Sequence, residues 1–158
     1  SEPGQGTRVE LLLPTADSVN EATETAASGG ASAGHALILV VEDEPGVRKV
    51  AVRFIQSLGY DALEARDATQ ALELLRADPR IQLLFSDVVL GSGQTGFELL
   101  REARLLRPGL SALLTSGYER AVVSADEAVQ SGVGLLRKPY SLEQLGEALA
   151  QALESGTV

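Results

Sequence analysis

The chain has 158 residues, 44% of them hydrophobic, enough for one ordinary domain with some tail. Its formal net charge of −9 argues against a nucleic-acid surface, which needs clustered Lys and Arg, and suits divalent cations or basic partner surfaces. Cysteine is absent, which excludes disulfides and thiolate metal sites, and no apolar run approaches the ~18 residues of a membrane span. With no signal peptide visible, the expectation is a soluble, cytoplasmic chain without direct membrane contact.

At the amino end, residues 1–7 (Ser-Glu-Pro-Gly-Gln-Gly-Thr) carry two glycines where backbone could approach a phosphate. Val9, Leu11 and Leu13 then alternate as far as Pro14, a strand with no evident partner. Residues 15–35 are rich in Ala, Ser, Thr and Gly and read as a flexible linker, because such a composition buries too little apolar surface to offset ordering entropy. His35, the only histidine, lies at its end and reads as a solvated residue, since a metal site needs more ligands than it offers.

From residue 36 the pattern alternates strand and helix five times, as in a doubly wound parallel sheet of the α/β class. Leu37–Val41 is the first strand. Pro45 opens the first helix, whose apolar face is Val47, Val50, Ala51, Phe54, Ile55 and Leu58, and Gly59 ends it. Tyr60–Ala65 is the second strand; Ala68, Ala71, Leu72 and Leu75 mark a second helix that stops near Asp78-Pro79. The third strand is a short apolar run through Leu83, Leu84 and Phe85 to Ser86-Asp87, too continuous for an amphipathic helix and suited to burial on both faces. A glycine-rich loop, 91–96, leads to a third helix with Leu99, Leu100, Ala103 and Leu106 inward and Pro108-Gly109 after it.

The fourth strand is Leu110–Leu114 before Thr115-Ser116, and the fifth is Val133–Leu136 before Lys138. Between them a fourth helix within 119–131 carries few large apolar residues and should be mobile. The last helix opens on a capping box, Ser141 with Gln144, accompanied by a Tyr140–Leu145 staple, and turns Leu142, Leu145, Leu149 and Leu153 to the sheet. Residues 155–158 are a short tail, and no effector domain is expected after it. Arg101, Arg104 and Arg107 recur at helical spacing and read as a solvated face, or else as a docking surface for an acidic partner.

Open α/β sheets bind ligands outside the carboxyl ends of their strands. At those ends this chain places Glu42-Asp43-Glu44, Asp87, Thr115-Ser116 and Lys138. A carboxylate can accept a phosphoryl group as a mixed anhydride, provided that the developing charge on the phosphoryl oxygens is neutralised and the reactants are held in line. Clustered carboxylates that stay ionised require a cation, and Mg²⁺ fits, taking a few protein oxygens and keeping waters for the rest. On this reading Asp87 is the acceptor, Asp43 the best placed second metal ligand with Glu42 beside it, Lys138 a point charge for one phosphoryl oxygen and Thr115 a hydroxyl for another. Taken singly, Asp43-Glu44 could merely charge a helix start, Asp87 could be a turn residue, Thr115 a strand-end hydroxyl and Lys138 a surface lysine. Their arrival at four strand ends on one rim favours the joint reading.

The combination Val40-Val41-Glu42-Asp43-Glu44, Ser86-Asp87, Leu114-Thr115-Ser116-Gly117-Tyr118 and Lys138-Pro139-Tyr140 resembles the four signatures of the response-regulator receiver domain, over residues 36–154. The resemblance implies a three-layer, flavodoxin-like (βα)5 fold with five parallel strands in the order 2-1-3-4-5. It implies Asp87 as phosphoacceptor and Asp43, Asp87 and the Val89 carbonyl as Mg²⁺ ligands. Glu42 would act through a metal-bound water, while Thr115 and Lys138 would touch the phosphoryl group. The Lys138-Pro139 bond would be cis, and the donor a phosphohistidine on a histidine kinase or histidine phosphotransfer protein. Such a domain catalyses only its own phosphorylation and dephosphorylation, and is expected as a monomer or weak homodimer.

The Lys-Pro-Tyr ending and the glycine-rich turn resemble receivers fused to hybrid histidine kinases. Residues 1–14 in turn resemble the last glycine box and final strand of a kinase ATP-binding domain, here a remnant without catalytic boxes; the plainer alternative is a Gly-rich tail. The parent chain would then be a hybrid kinase that can be membrane-anchored. Some positions depart from the family pattern. Leu135 stands where a switch aromatic is usual and could simply be core, and Gly91 replaces the usual loop proline. Val89 and Gly117 offer no side chain to position an attacking water, so a comparatively long-lived phosphoryl group is expected, and a half-life of seconds would count against it.

Three function classes follow. The leading one is a phosphoacceptor receiver in a phosphorelay. The second is a phosphorylation-independent receiver used as an interaction module, whose mark would be loss of the aspartate or lysine. The third is a hydrolase with an aspartate nucleophile, which would want a second carboxylate where Val89 stands.

Overall fold

The computed structural model describes residues 36–91, 93–117 and 121–155, the side chains of 121–125 excepted. The glycine-rich stretch with its strand to Pro14, the linker, His35 and Tyr118 lie outside the described residues, as do residues 156–158 of the tail. The elements are β1 (Leu37–Val41), α1 (Pro45–Ser57), β2 (Asp61–Ala65), α2 (Ala68–Ala77), β3 (Ile81–Asp87), α3 (Gly96–Leu106), β4 (Ser111–Ser116), α4 (Ala121–Ser131), β5 (Gly134–Arg137) and α5 (Leu142–Ser155). All strand pairs are parallel, and the order is β2-β1-β3-β4-β5. That is the doubly wound flavodoxin-like sheet expected from the alternation.

Burial along the strands explains the order. The central strands β1, β3 and β4 are buried almost throughout, whereas β2 and β5 show exposed residues and form the edges. Side chains alternate between faces with period two. Ile38, Val40, Leu83 and Phe85 join Ala51, Val52, Ile55, Leu145 and Leu149 of α1 and α5. Leu39, Val41 and Leu84 join Ala68, Ala71, Leu75, Leu99 and Ala103 of α2 and α3 on the other face. Leu145 and Leu149 are fully buried, and truncating either to Ala would cost about 2–5 kcal/mol.

Helix starts follow local chemistry. Pro45 opens α1 behind an extended Glu44. Asp67 caps α2 by accepting from the Gln70 N–H at 2.8 Å. The box at α5 is present: the Ser141 N–H donates to Gln144 Oε1 at 2.9 Å, and the Gln144 N–H to Ser141 Oγ at 3.2 Å. Tyr140 packs into the cluster that holds Leu145, completing the staple.

Several expected inward residues turn out. Val47 and Val50 are exposed while Val52 is buried, so the buried stripe of α1 is rotated toward Ala51, Val52 and Ile55. Leu106 and Leu142 also face out, each at an end of its helix.

The arginines of α3 and its C-cap are not a uniformly solvated face. Arg107 donates to the carbonyls of Ile81 (2.9 Å), Asp78 (2.5 Å) and Leu75. Arg104 donates to the carbonyls of Ser131 (2.6 Å) and Gly132 (3.4 Å). Each guanidinium thus sits at the carboxyl end of a neighbouring helix, where its positive charge complements the dipole. Of the three, Arg101 is exposed and the other two are half-buried.

Candidate functional site

The carboxyl ends of β1, β3, β4 and β5 meet along one rim. Asp87 ends β3, half-buried, and stands opposite Thr115 in the β3–β4 register. The Val88 N–H donates to the Thr115 carbonyl at 2.8 Å, and the Lys138 N–H to the Ser116 carbonyl at 2.8 Å, so the chain beyond both strands is pinned. The Lys138-Pro139 bond is cis, as expected. From this anchorage Lys138 Nζ donates to Asp87 Oδ2 at 2.6 Å and to Glu42 Oε2 at 2.7 Å. One ammonium bridges carboxylates delivered by two adjacent strands.

The electrostatics are those of charges taken partly out of water. Burial pushes the Glu42 carboxyl above its usual range, against the pull of its hydrogen bond to Lys138. Burial pulls the Lys138 ammonium down, but the hydrogen bonds to Asp87 and Glu42 together outweigh it and hold the amine above its ordinary value. Two carboxylates share one cation, so removing that cation would leave like charges side by side.

The remaining expected residues surround this pair. Val89 donates its N–H to Asp87 Oδ1 at 3.1 Å. Among the described residues no hydrogen bond reaches its carbonyl, a candidate donor oxygen. Thr115 is buried, its hydroxyl directed at the Ser86 carbonyl at a long 3.5 Å, a weak commitment that leaves it available to a better acceptor. Asp43 is exposed and lies against Gly91, where a Cβ would stand 2.5 Å from its Oδ2. Leu135 is half-buried and packs against the cluster of Val88, Phe97, Leu114 and Ala128.

Two contributors were not foreseen. Arg48 Nη1 donates to the Glu42 carbonyl at 2.6 Å and the Asp43 carbonyl at 3.4 Å, tying the acidic loop to α1. No sequence signal marks it, because backbone carbonyls leave no trace in residue identity. Thr95 and Glu98 form a capping box at the start of α3, which fixes the loop after Asp87, and that T-x-x-E spacing was readable.

The sequence profile of the response regulator receiver domain matches residues 38–150. The chain belongs to that family. Sensor kinase CckA of Brucella abortus (strain 2308) is 34% identical over 163 residues, an alignment that covers 98% of this chain and 17% of the kinase. The crystal structure of the receiver domain from hybrid histidine kinase CckA superposes with a TM-score of 0.60 at 34% identity, covering 74% of this chain and 98% of that one. A response regulator receiver protein from Pseudomonas putida gives a TM-score of 0.67 at 31% identity, covering 75% of this chain and 98% of its own. The chain is therefore a receiver domain of two-component signalling, homologous to the CckA receiver. Receiver domains interact with histidine kinases or phosphotransfer proteins, and the family generally binds Mg²⁺.

The residues present fit such an ion. No group of three or more His, Cys, Asp or Glu able to hold a metal is found among the described residues. A receiver needs less than that, because Mg²⁺ is bound through one or two carboxylates and keeps several waters. Asp43, Asp87 and the Val89 carbonyl are hard oxygen donors of that kind. No helix among the described residues is long and apolar enough to cross a membrane.

Proposed function

We propose that Asp87 is the phosphoacceptor of a phosphorelay and that its donor is a phosphohistidine on a histidine kinase or histidine phosphotransfer protein. The observation that carries this reading is the Lys138 ammonium, 2.6 Å from Asp87 Oδ2 and 2.7 Å from Glu42 Oε2 on the sheet's carboxyl rim. An Asp87 oxygen attacks phosphorus, the P–N bond breaks, and the electron pair returns to the imidazole nitrogen, leaving an acyl phosphate. Lys138 moves its hydrogen bond from the carboxylate to a phosphoryl oxygen, and the Thr115 hydroxyl leaves the Ser86 carbonyl for another. Asp43, Asp87 and the Val89 carbonyl would hold Mg²⁺ directly and Glu42 through a water. Bound there, Mg²⁺ would neutralise charge on the phosphoryl oxygens.

The alignment with the Brucella kinase runs over nearly the whole chain, which supports reading residues 1–14 as the end of a kinase ATP-binding domain and 15–35 as its linker to the receiver. The parent is then a cytoplasmic-facing hybrid kinase, and the receiver a monomer or weak homodimer. The test is addition of beryllofluoride with Mg²⁺ while amide NMR shifts are recorded. Changes centred on Asp87, Thr115 and Lys138, absent from Asp87→Asn, support the phosphoacceptor. No change in the parent protein would favour a phosphorylation-independent interaction module.

A further inference from the structure

The turn between β1 and α1 is held from two directions. The Glu42 carboxylate accepts from Lys138 Nζ at 2.7 Å, and the Glu42 carbonyl accepts from Arg48 Nη1 at 2.6 Å. The same Nη1 reaches the Asp43 carbonyl at a longer 3.4 Å, and Arg48 Nε pairs with Glu64 of the edge strand β2 at 3.3 Å. The Arg48 side chain is only 16% exposed, so its charge-assisted bonds are largely out of water. Asp43 itself is exposed, and among the described residues no hydrogen bond holds its carboxylate. How that carboxylate reaches the rim is therefore set by its backbone. The two carbonyls that Arg48 contacts belong to the planar peptide units on either side of the Asp43 Cα, and fixing two such planes fixes the direction of the side chain between them.

We infer that Arg48 is a positioning residue for the metal site: by holding the peptide units on both sides of Asp43 it aims that carboxylate at the rim. The inference rests on Asp43 as a metal ligand, as proposed above. Arg48 is also a cation close to a cation site. Its charge alone would weaken Mg²⁺ binding, whereas its positioning strengthens it, so the two effects differ in sign. Lysine at this place keeps the charge but lacks the rigid fork that serves Glu42 and Glu64 together.

The experiment is a calorimetric Mg²⁺ titration of the parent, Arg48→Ala, Arg48→Lys, Glu64→Gln and Leu149→Ala, each shown to be folded by thermal unfolding in EDTA. Arg48→Ala should bind Mg²⁺ about tenfold more weakly, the scale for losing a group that orients a ligand, and Arg48→Lys should weaken by more than about twofold. Glu64→Gln, which removes only a partly exposed ion pair, should stay within about twofold of the parent. So should Leu149→Ala, about twofold at most, since its fully buried site on α5 destabilises without touching the turn. The Mg²⁺ concentration that half-saturates labelling by acetyl phosphate should rise with the dissociation constant while the rate at saturation holds.

An Arg48→Ala variant that binds Mg²⁺ as well as the parent or better overturns the inference, because charge alone would then be felt. Parent-like binding by Arg48→Lys does so too, since the fork would be dispensable. Equal weakening in Leu149→Ala would reduce the effect to lost stability, and equal weakening in Glu64→Gln would move it to the ion pair; either overturns it, as does a labelling rate that stays low at saturating Mg²⁺. A parent that binds no Mg²⁺ overturns the ligand assignment first and the inference with it, a result distinct from the others.

Discussion

Lys138 and Arg107 are both half-buried cations at opposite ends of one sheet, and they are used differently. Among the described residues Arg107 hydrogen-bonds only to carbonyls, those of Leu75 and Asp78 at the end of α2 and of Ile81 at the start of β3, with the Asp78 carboxylate near enough to feel its charge. Carbonyls do not titrate and have nothing to exchange, so this cluster is fixed structure. Lys138 meets two carboxylates, one buried and one half-buried, that repel each other and can each be protonated or esterified. What surrounds a cation, rather than its burial, decides whether the result is rigidity or chemistry.

The sharpest way to break that contrast is to remove each cation in turn. Lys138→Ala should slow phosphoryl transfer from a small donor about a hundredfold, as loss of a charge aimed at the developing oxyanions does elsewhere. The rate of acetyl-phosphate labelling in Mg²⁺ measures it. Arg107→Ala should leave that rate within about twofold while the fold holds, yet lower stability by about 2–3 kcal/mol, because charge-assisted bonds to helix-end carbonyls are lost. Urea unfolding gives the second number. A labelling defect in Arg107→Ala at full foldedness would erase the distinction between the two ends.

A smaller effect sharpens it with pH. Glu42 has its folded value raised above the ordinary 4.5, mainly by burial. Above 4.5 the native chain therefore binds more protons at this site than the unfolded chain, and stability contributed here is lost as pH rises through the raised value. Glu42→Gln removes the effect. The stability of Glu42→Gln minus that of the parent should grow as pH rises from about 4.5 and then level off. A gap that shrinks over that range would mean that Lys138, not burial, governs this carboxyl.

Much of the fold was legible because alternation and punctuation were clean. Every strand and helix from residue 36 onward lies where the apolar runs, Pro45, Asp78-Pro79 and the Ser141–Gln144 box put it, to within a residue or two. The rotation of α1 was not legible, since Val50 and Val52 are chemically alike and only packing against α5 and the sheet chooses between them. Of the site, Asp87, Lys138 and Glu42 could be read because strand ends share a rim. Arg48 could not, because its partners are backbone. The roles of Arg104 and Arg107 were hidden for the same reason. Periodicity places a residue on a helix face but does not show that a neighbouring helix ends there.

The central claim is that a phosphoryl group lands on Asp87. Incubation with acetyl phosphate or a phosphohistidine donor and Mg²⁺, followed by mass spectrometry of the peptides, tests it directly. The account predicts one phosphoryl increment, on the peptide that contains Asp87, and none in Asp87→Asn. An increment on another residue, or an Asn variant labelled like its parent, would contradict it.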